Sequence, residues 1–276
     1  MRVSQRIREQ AVPGGSVAIW WLGQNSFVLK DSGTLLMIDP FFSRPGPPEK
    51  YVHDEAPLRA EELEPDAVLC THNHSDHTDP AFLCALARHS PTTRFYGPAE
   101  SAEAMREAGI AGDRVRAVAS GETVGIGKAS VHVVLSKTPE VSDVAHLGYV
   151  CELEAVLPGG VKVYDTGDIM RGVTRQPSLM EPLRRAGPEV ALITTSPTEE
   201  EFPDFEEAAE LAGAIGARVA IAAHYGCFSR RTFDPAAFAA QFRGGRTRAE
   251  IIPYCGCYVY SREGDARSCR GSEEAG

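Results

Sequence analysis

Short apolar runs separated by turn residues open the chain. Residues 17–22, 26–30 and Leu35–Ile38 each have strand length, with Gly23 and the Asp31-Ser32-Gly33 cluster between them. Residues 66–71 (DAVLCT) are apolar from Ala67 to Cys70, the pattern of a strand buried on both faces. Asp79-Pro80 then supplies an N-cap and a proline at the first helical position, predicting a helix through Phe82, Leu83, Leu86 and Ala87. A second helix is predicted over 99–108 behind Pro98, and Ala129–Leu135 alternates as a strand. Beyond it the pattern predicts strands at 148–154 and 161–164 joined by Pro158-Gly159-Gly160. A helix at Pro177–Ala186, a strand at 190–195, a helix at 205–215, a strand at 217–223 and a helix at 235–242 follow. Both halves begin with strands and then alternate, which suggests two sheets packed face to face with helices outside.

Composition narrows the class. Of 276 residues, 43% are hydrophobic and 24% charged, which is globular, and no linker divides the chain. One domain over 1–261 is expected, with a polar, Gly/Glu-rich tail over 262–276. Lys+Arg 28 against Asp+Glu 38 gives a net charge of -10 with no basic block, so neither nucleic acid nor an anionic membrane is an expected partner. The N-terminal MRVSQRIREQ runs into AVPGG rather than an apolar signal core, and the scattered cysteines form no small-domain framework. Both point to the cytoplasm. Cys255-Gly256-Cys257 is read as alternation within an apolar strand over 251–260, and the cysteines as packing residues.

The chemistry concentrates at the end of the strand 66–71. There stands His72-Asn73-His74-Ser75-Asp76-His77, which holds three of the chain's eight histidines. Imidazoles joined by a carboxylate suit zinc, manganese or iron in a hydrolytic rather than a thiolate site. His72 and His74 can share a face of an extended segment, while Asp76 and His77 lie past a turn.

A His-x-His-x-Asp-His run after a buried strand resembles the signature of the metallo-β-lactamase superfamily. Further motifs follow that family's order: Asp39 after Leu36-Met37-Ile38, Asp168 in Tyr164-Asp165-Thr166-Gly167-Asp168, and His224 after Ile221-Ala222-Ala223. Within the superfamily, Trp21-Leu22-Gly23-Gln24-Asn25-Ser26-Phe27, the Tyr-x-Thr-Gly-Asp form and His224-Tyr225-Gly226 resemble the L-ascorbate-6-phosphate lactonase-like branch. The resemblance implies an α+β fold, a four-layer αββα sandwich. It also implies two divalent ions, zinc or alternatively manganese. His72, His74 and His146 would go to the first ion, Asp76, His77 and His224 to the second, with Asp168 between them. His146 is chosen for its place just before the strand at 148; His132, inside an apparent strand, and Asp143 stay open as alternatives.

The implied function is hydrolysis by a metal-bound hydroxide of a lactone or ester in a small substrate, anionic or sugar-derived. Asp76 and Asp168 are the catalytic carboxylates, and Asp39 orients an imidazole. A small-molecule phosphodiesterase and a non-catalytic metal-binding module are the alternatives, and homo-oligomerisation stays open. Arg230, Arg231, Lys137 and Arg171 are candidate cations for an anionic substrate, and Tyr225 and Gln24 candidate lining.

Overall fold

The meander expected at the start of the chain forms as β1 (Ser16–Trp21), β2 (Phe27–Lys30) and β3 (Leu35–Ile38), antiparallel in register. β4 (Ala67–Leu69), β5 (Arg94–Gly97) and β6 (Val115–Ala117) then add in parallel. A second sheet begins with β7 (Thr123–Ile126), β8 (Ala129–Leu135), β9 (Leu147–Leu153) and β10 (Val161–Asp165), all antiparallel. It continues in parallel through β11 (Val190–Thr194), β12 (Val219–Ala223) and β13 (Arg248–Glu250). β14 (Cys257–Ser261) returns to pair with β1. The strand orders are β14-β1-β2-β3-β4-β5-β6 and β13-β12-β11-β10-β9-β8-β7. This computed structural model describes residues 1–142, 144–154 and 159–263.

Period-two alternation decides the layers. In β1, Val17, Ile19 and Trp21 face the second sheet, joining Phe27, Leu29 and Leu36 against Val131, Val133, Tyr149, Cys151 and Val163. Ala18 and Trp20 point the other way, with Val28, Met37, Val68 and Phe95, beneath α1 (Val3–Glu9), α2 (Pro80–His89) and α3 (Ala99–Glu107). The outer face of the second sheet is covered by α4 (Pro177–Ala186), α5 (Phe205–Ala214) and α6 (Pro235–Ala240) through Leu179, Leu183, Leu211 and Phe238. The result is the expected four-layer α+β sandwich. Asp79 caps α2 as its sequence predicts, accepting from Phe82 N at 3.1 Å. Its second oxygen ties down the loop after β3, accepting from Ser43 N at 2.8 Å.

Two expectations are corrected. The apolar run 251–260 is a strand only from Cys257 onward. Cys255 sits at φ +60, which breaks the alternation, and its N–H is taken by Trp21 O at 3.0 Å. Cys257 is disulfide-bonded rather than a packing thiol, whereas Cys70, Cys84, Cys151 and Cys227 are buried and free. Arg262, the first residue of the expected tail, is held by Glu189 at 2.7 Å and by Gly160 O at 2.8 Å. The rest of that tail, Asp143 and Pro158 lie outside the described residues. Among the described residues no helix is long and apolar enough to cross a membrane.

Candidate metal centre

The strands that carry candidate ligands all open onto one end of the sandwich. β3 and β4 run parallel, as do β10, β11 and β12. Asp39, His72, Asp168 and His224 therefore all emerge after C-terminal strand ends. β9 runs the opposite way, with Tyr149 opposite Asp165, so the segment just before it, His146, arrives at the same end.

Tight loop contacts hold the two sheets' ends together. Leu147 N–H donates to Thr71 O at 2.9 Å, and His224 N–H donates to Gln24 O at 3.0 Å. Gly167 lies where these loops touch: at φ +51, an added Cβ would stand 2.4 Å from Leu147 O and 2.9 Å from Thr71 Cβ. Only glycine lets the chain turn there and deliver Asp168. Asp39 and His224 also adopt positive φ, +43 and +66, without being glycine. Such left-handed backbone at both points is held by the surrounding bonds and is common where a site fixes side-chain direction.

The hexapeptide is a turn rather than an extended segment. His77 N and Thr78 N both donate to His74 O, at 3.0 and 2.8 Å, and Thr78 Oγ1 donates to His72 O at 2.7 Å. The turn, not strand alternation, brings His72 Nε2 within 2.9 Å of His74 Nδ1.

All seven side chains singled out from the sequence converge. They fall into three groups whose candidate ligand atoms lie within 4.8 Å of one another: His72, His74 and His146; His72, His77 and Asp168; Asp76, His77 and His224. Asp168 Oδ2 is 3.4 Å from His72 Nε2. Its Oδ1 is 3.3 Å from His77 Nε2 and 3.4 Å from His224 Nε2. Asp76 Oδ2 is 3.9 Å from both His77 Nε2 and His224 Nε2. His72, His77, His146, Asp168 and His224 are buried, while His74 is exposed at the mouth. His132 is elsewhere, on β8, bonded to Thr123 Oγ1 at 2.8 Å.

Asp39 is completely buried and orients this cluster. It accepts from Thr71 N at 2.7 Å, Thr71 Oγ1 at 2.6 Å and Asn25 Nδ2 at 2.8 Å, and pairs with His77 Nδ1 at 2.7 Å. With Nδ1 paired to Asp39, Nε2 is the atom that His77 presents to Asp168, Asp76 and His224 as a would-be ligand. Asn25, Thr71 and Asp165 are parts of this support that the sequence reading missed. Thr71, directly before the first histidine, was the one with a positional signal.

The electrostatics describe a cage in need of a cation. Burial pushes His72 well below the usual imidazole range, with His77 adding to it. Burial with Lys137 nearby lowers His146 to about 3, so both are neutral, lone-pair donors. Burial alone would lower His77, but Asp168, Asp39 and Asp76 overcome it and raise it to about 10. Burial would raise Asp168, yet His77, His224 and His72 hold it well below the usual carboxylate range. Without metal a second proton, on His77 Nε2, is thus the counter-charge of Asp168, Asp39 and Asp76, and a bound cation would take its place and free that lone pair. Buried His77 Nε2 and Asp168 Oδ1 face each other at 3.3 Å with no hydrogen bond to either, an arrangement that a shared cation would satisfy. Neutral His72 and His146, an ionised Asp168 and facing imidazole and carboxylate atoms fit divalent cations.

Comparison with known proteins agrees with this geometry. A family described as the beta-lactamase superfamily domain matches residues 18–224. The chain belongs to the metallo-β-lactamase superfamily. A UPF0173 metal-dependent hydrolase of Methanopyrus kandleri is 30% identical over 248 residues, covering 85% of this chain and 95% of its own. Another, from Methanosarcina mazei, is 28% identical over 221 residues, covering 80% and 88%. Among solved structures, Igni18, a metallo hydrolase from Ignicoccus hospitalis, is 17% identical with a TM-score of 0.68 over 89% of this chain and 99% of that one. An isothiocyanate hydrolase from Delia radicum gut bacteria, also 17% identical, gives 0.67 over 88% and 99%. These two likenesses carry the metallo-β-lactamase fold alone.

The remaining candidates separate. Lys137 is paired with Glu201 at 3.0 Å, and Arg171 with Asp204 at 2.6 Å and Glu207 at 3.0 Å, so neither is free for substrate. Tyr225 is buried, stacked on Trp21 at 4.3 Å and on Phe233 at 4.6 Å, and so packs next to the metallo-β-lactamase motif residue His224. Gln24 does reach the site, donating from Nε2 to Asp76 Oδ2 at 2.9 Å.

Proposed function

We propose that this protein is a metal-dependent hydrolase that opens a lactone or cleaves another ester of a small molecule. The observation that carries the reading is the pair of buried, unpartnered atoms His77 Nε2 and Asp168 Oδ1, 3.3 Å apart at the centre of the cluster. The relatives named metal-dependent hydrolases over most of their length support it. The lactone is favoured by the segments resembling the lactonase-like branch, which meet at the site through the Trp21–Tyr225 stack and the Gln24–Asp76 bond.

His72, His74 and His146 would hold one ion and Asp76, His77 and His224 the other, with Asp168 reaching both. Zinc or manganese ions bound there would supply a water of lowered pKa and polarise the electrophile. The chain's own residues do the rest. Asp39 fixes the His77 tautomer through the 2.7 Å contact, and Gln24 fixes Asp76. Asp76, half-buried on the open side, is placed to orient the attacking water and take up its proton. The same reading puts the work on a small molecule rather than a polyanion, in keeping with the net charge of -10.

The test is turnover of a γ-lactone, an aryl ester and an aryl phosphodiester before and after chelation, with wild type and Asp76→Ala. Lactone or ester hydrolysis that chelation abolishes, metal restores and Asp76→Ala lowers by about a hundredfold or more supports the proposal. Preference for the phosphodiester would assign the same centre to that bond. Metal uptake with no turnover of any probe would favour a binding module.

A further inference from the structure

Beside Asp76 a cavity of ≈600 Å³ opens, whose lining includes Glu49, Lys50, Asp76, Phe228, Arg230 and Arg231. It is continuous with the proposed catalytic end through Asp76 and large enough for a metabolite-sized ligand. Its walls are built. The loop after β3 is stitched to the segment after β12 by a Tyr51–Phe228 bridge, by Val52 N to Cys227 O at 2.8 Å and by Ser229 N to Lys50 O at 2.9 Å. Ser229 Oγ adds a bond to Glu49 O at 2.9 Å. Phe228 packs at 5.7 Å on both Phe41 and Tyr51, which gives the cavity a rigid aromatic side.

The charge there runs against the chain's overall balance of -10. Lys50 Nζ is parked 5.3 Å from the Phe228 ring and 5.7 Å from the Tyr51 ring. Arg231 is neutralised by Glu199 at 3.3 Å. No carboxylate pairs with Lys50 or Arg230 among the described residues. Both line the cavity, Lys50 from the loop after β3 and Arg230 from the segment after β12, while the other motif-associated cations, Lys137 and Arg171, are already in ion pairs.

We propose that this cavity is the substrate subsite, and that it selects a small molecule carrying an oxyanion joined to an apolar or planar body. The carboxylate or phosphate lies between Lys50 and Arg230, the body lies on Phe228, and the cleaved bond is turned toward Asp76. The proposal rests on the hydrolase reading for its catalytic part, but the binding part stands apart from turnover.

Binding is measured by isothermal titration of the metal-loaded protein with benzoate, phenylphosphonate and the neutral isostere benzamide. Wild type is expected to prefer both anions over benzamide by about tenfold, with the preference fading as salt rises. The Lys50→Gln/Arg230→Gln double variant is expected to lose that preference with metal content unchanged. Benzoate against phenylphosphonate then tells a carboxylate site from a phosphate site. Equal binding of anions and benzamide, or an anion preference that survives in the double variant, would overturn the proposal; the latter would place the anion on the metals. Kinetics on an ester pair differing only in a remote carboxylate supplies the second arm. Here the charged-over-neutral ratio of kcat/KM should fall by about tenfold in the double variant. If no ester is turned over, the hydrolase reading fails while the titration still decides the subsite.

Discussion

Asp39→Asn isolates the link between a supporting carboxylate and the metal cluster with almost no change of shape. Asp39 Oδ1 accepts the Thr71 N–H, and Oδ2 meets Thr71 Oγ1, Asn25 Nδ2 and His77 Nδ1, all at 2.6–2.8 Å. An amide has one acceptor oxygen. If that oxygen stays opposite Thr71 N–H, the new NH₂ confronts the three groups at Oδ2. If it turns, the NH₂ confronts a backbone N–H that cannot adapt. The first arrangement is the cheaper, because Thr71 can rotate its hydroxyl and His77 can move its proton from Nδ1 to Nε2. That proton would then sit on the atom facing Asp168 at 3.3 Å, where a lone pair is needed.

Losing the charge-assisted bond and leaving Asn25 poorly paired should lower the stability of the metal-free protein by about 1.5–3 kcal/mol. Metal affinity should fall by about 10–100-fold, or roughly 1.4–2.8 kcal/mol. Urea unfolding of the metal-free protein reads the first quantity. Competition with a chromophoric chelator reads the second, and imidazole ¹⁵N shifts report the His77 tautomer. Wild-type metal affinity with an unchanged His77 tautomer would refute the reasoning, whatever happened to stability.

Other outcomes follow from single contacts. Gly167→Ala combines a left-handed φ with a Cβ 2.4 Å from Leu147 O, so it should lose about 3 kcal/mol or more in urea unfolding; a loss under 1 kcal/mol would mean the loops do not meet as described. Asp165, fully buried, is raised to about 8 by burial with Asp39 adding to it, despite bonds from Asn25 Nδ2 and Gly167 N. The folded state then holds a proton that the unfolded chain releases near pH 4, so this group's contribution to stability falls as pH rises from about 4 to 8. Asp165→Asn should remove that slope in metal-free protein unfolded at pH 5 and pH 8, and a variant losing stability more steeply than wild type would contradict it. His132→Ala should keep full metal content because His132 is bonded to Thr123, away from the cluster, whereas His146→Ala should lose metal; the reverse would move the ligand to β8.

The sequence was most informative where local chemistry and burial coincide. The buried run before His72 and the Asp79-Pro80 cap could be read from side-chain type and periodicity, while Asp168 and His224, each after an apolar strand, were picked out by the family resemblance. It was least informative where pairing partners decide conformation. β5 and β6 are short and carry exposed Arg94 and Arg116, so nothing in their own pattern separates them from loops; their neighbours in the sheet make them strands. The run 251–260 has the reverse fault, alternation interrupted by the left-handed backbone at Cys255. At the site, His146 is adjacent to the cluster only because β9 runs antiparallel to β10, a fact of topology rather than spacing. Asn25 and Asp165 were invisible for the same reason: what matters about them is a 3.1 Å bond linking the two sheets, made by residues 140 positions apart.

The central claim is that these seven side chains form a centre for divalent cations. Metal content by inductively coupled plasma mass spectrometry on untagged protein, with wild type, Asp168→Ala and His146→Ala in parallel, tests it most directly. About two zinc or manganese ions per chain are expected in wild type, with fewer in both variants while they remain folded. Metal-free wild type that takes up no zinc or manganese on reconstitution, in a folded state, would contradict the account.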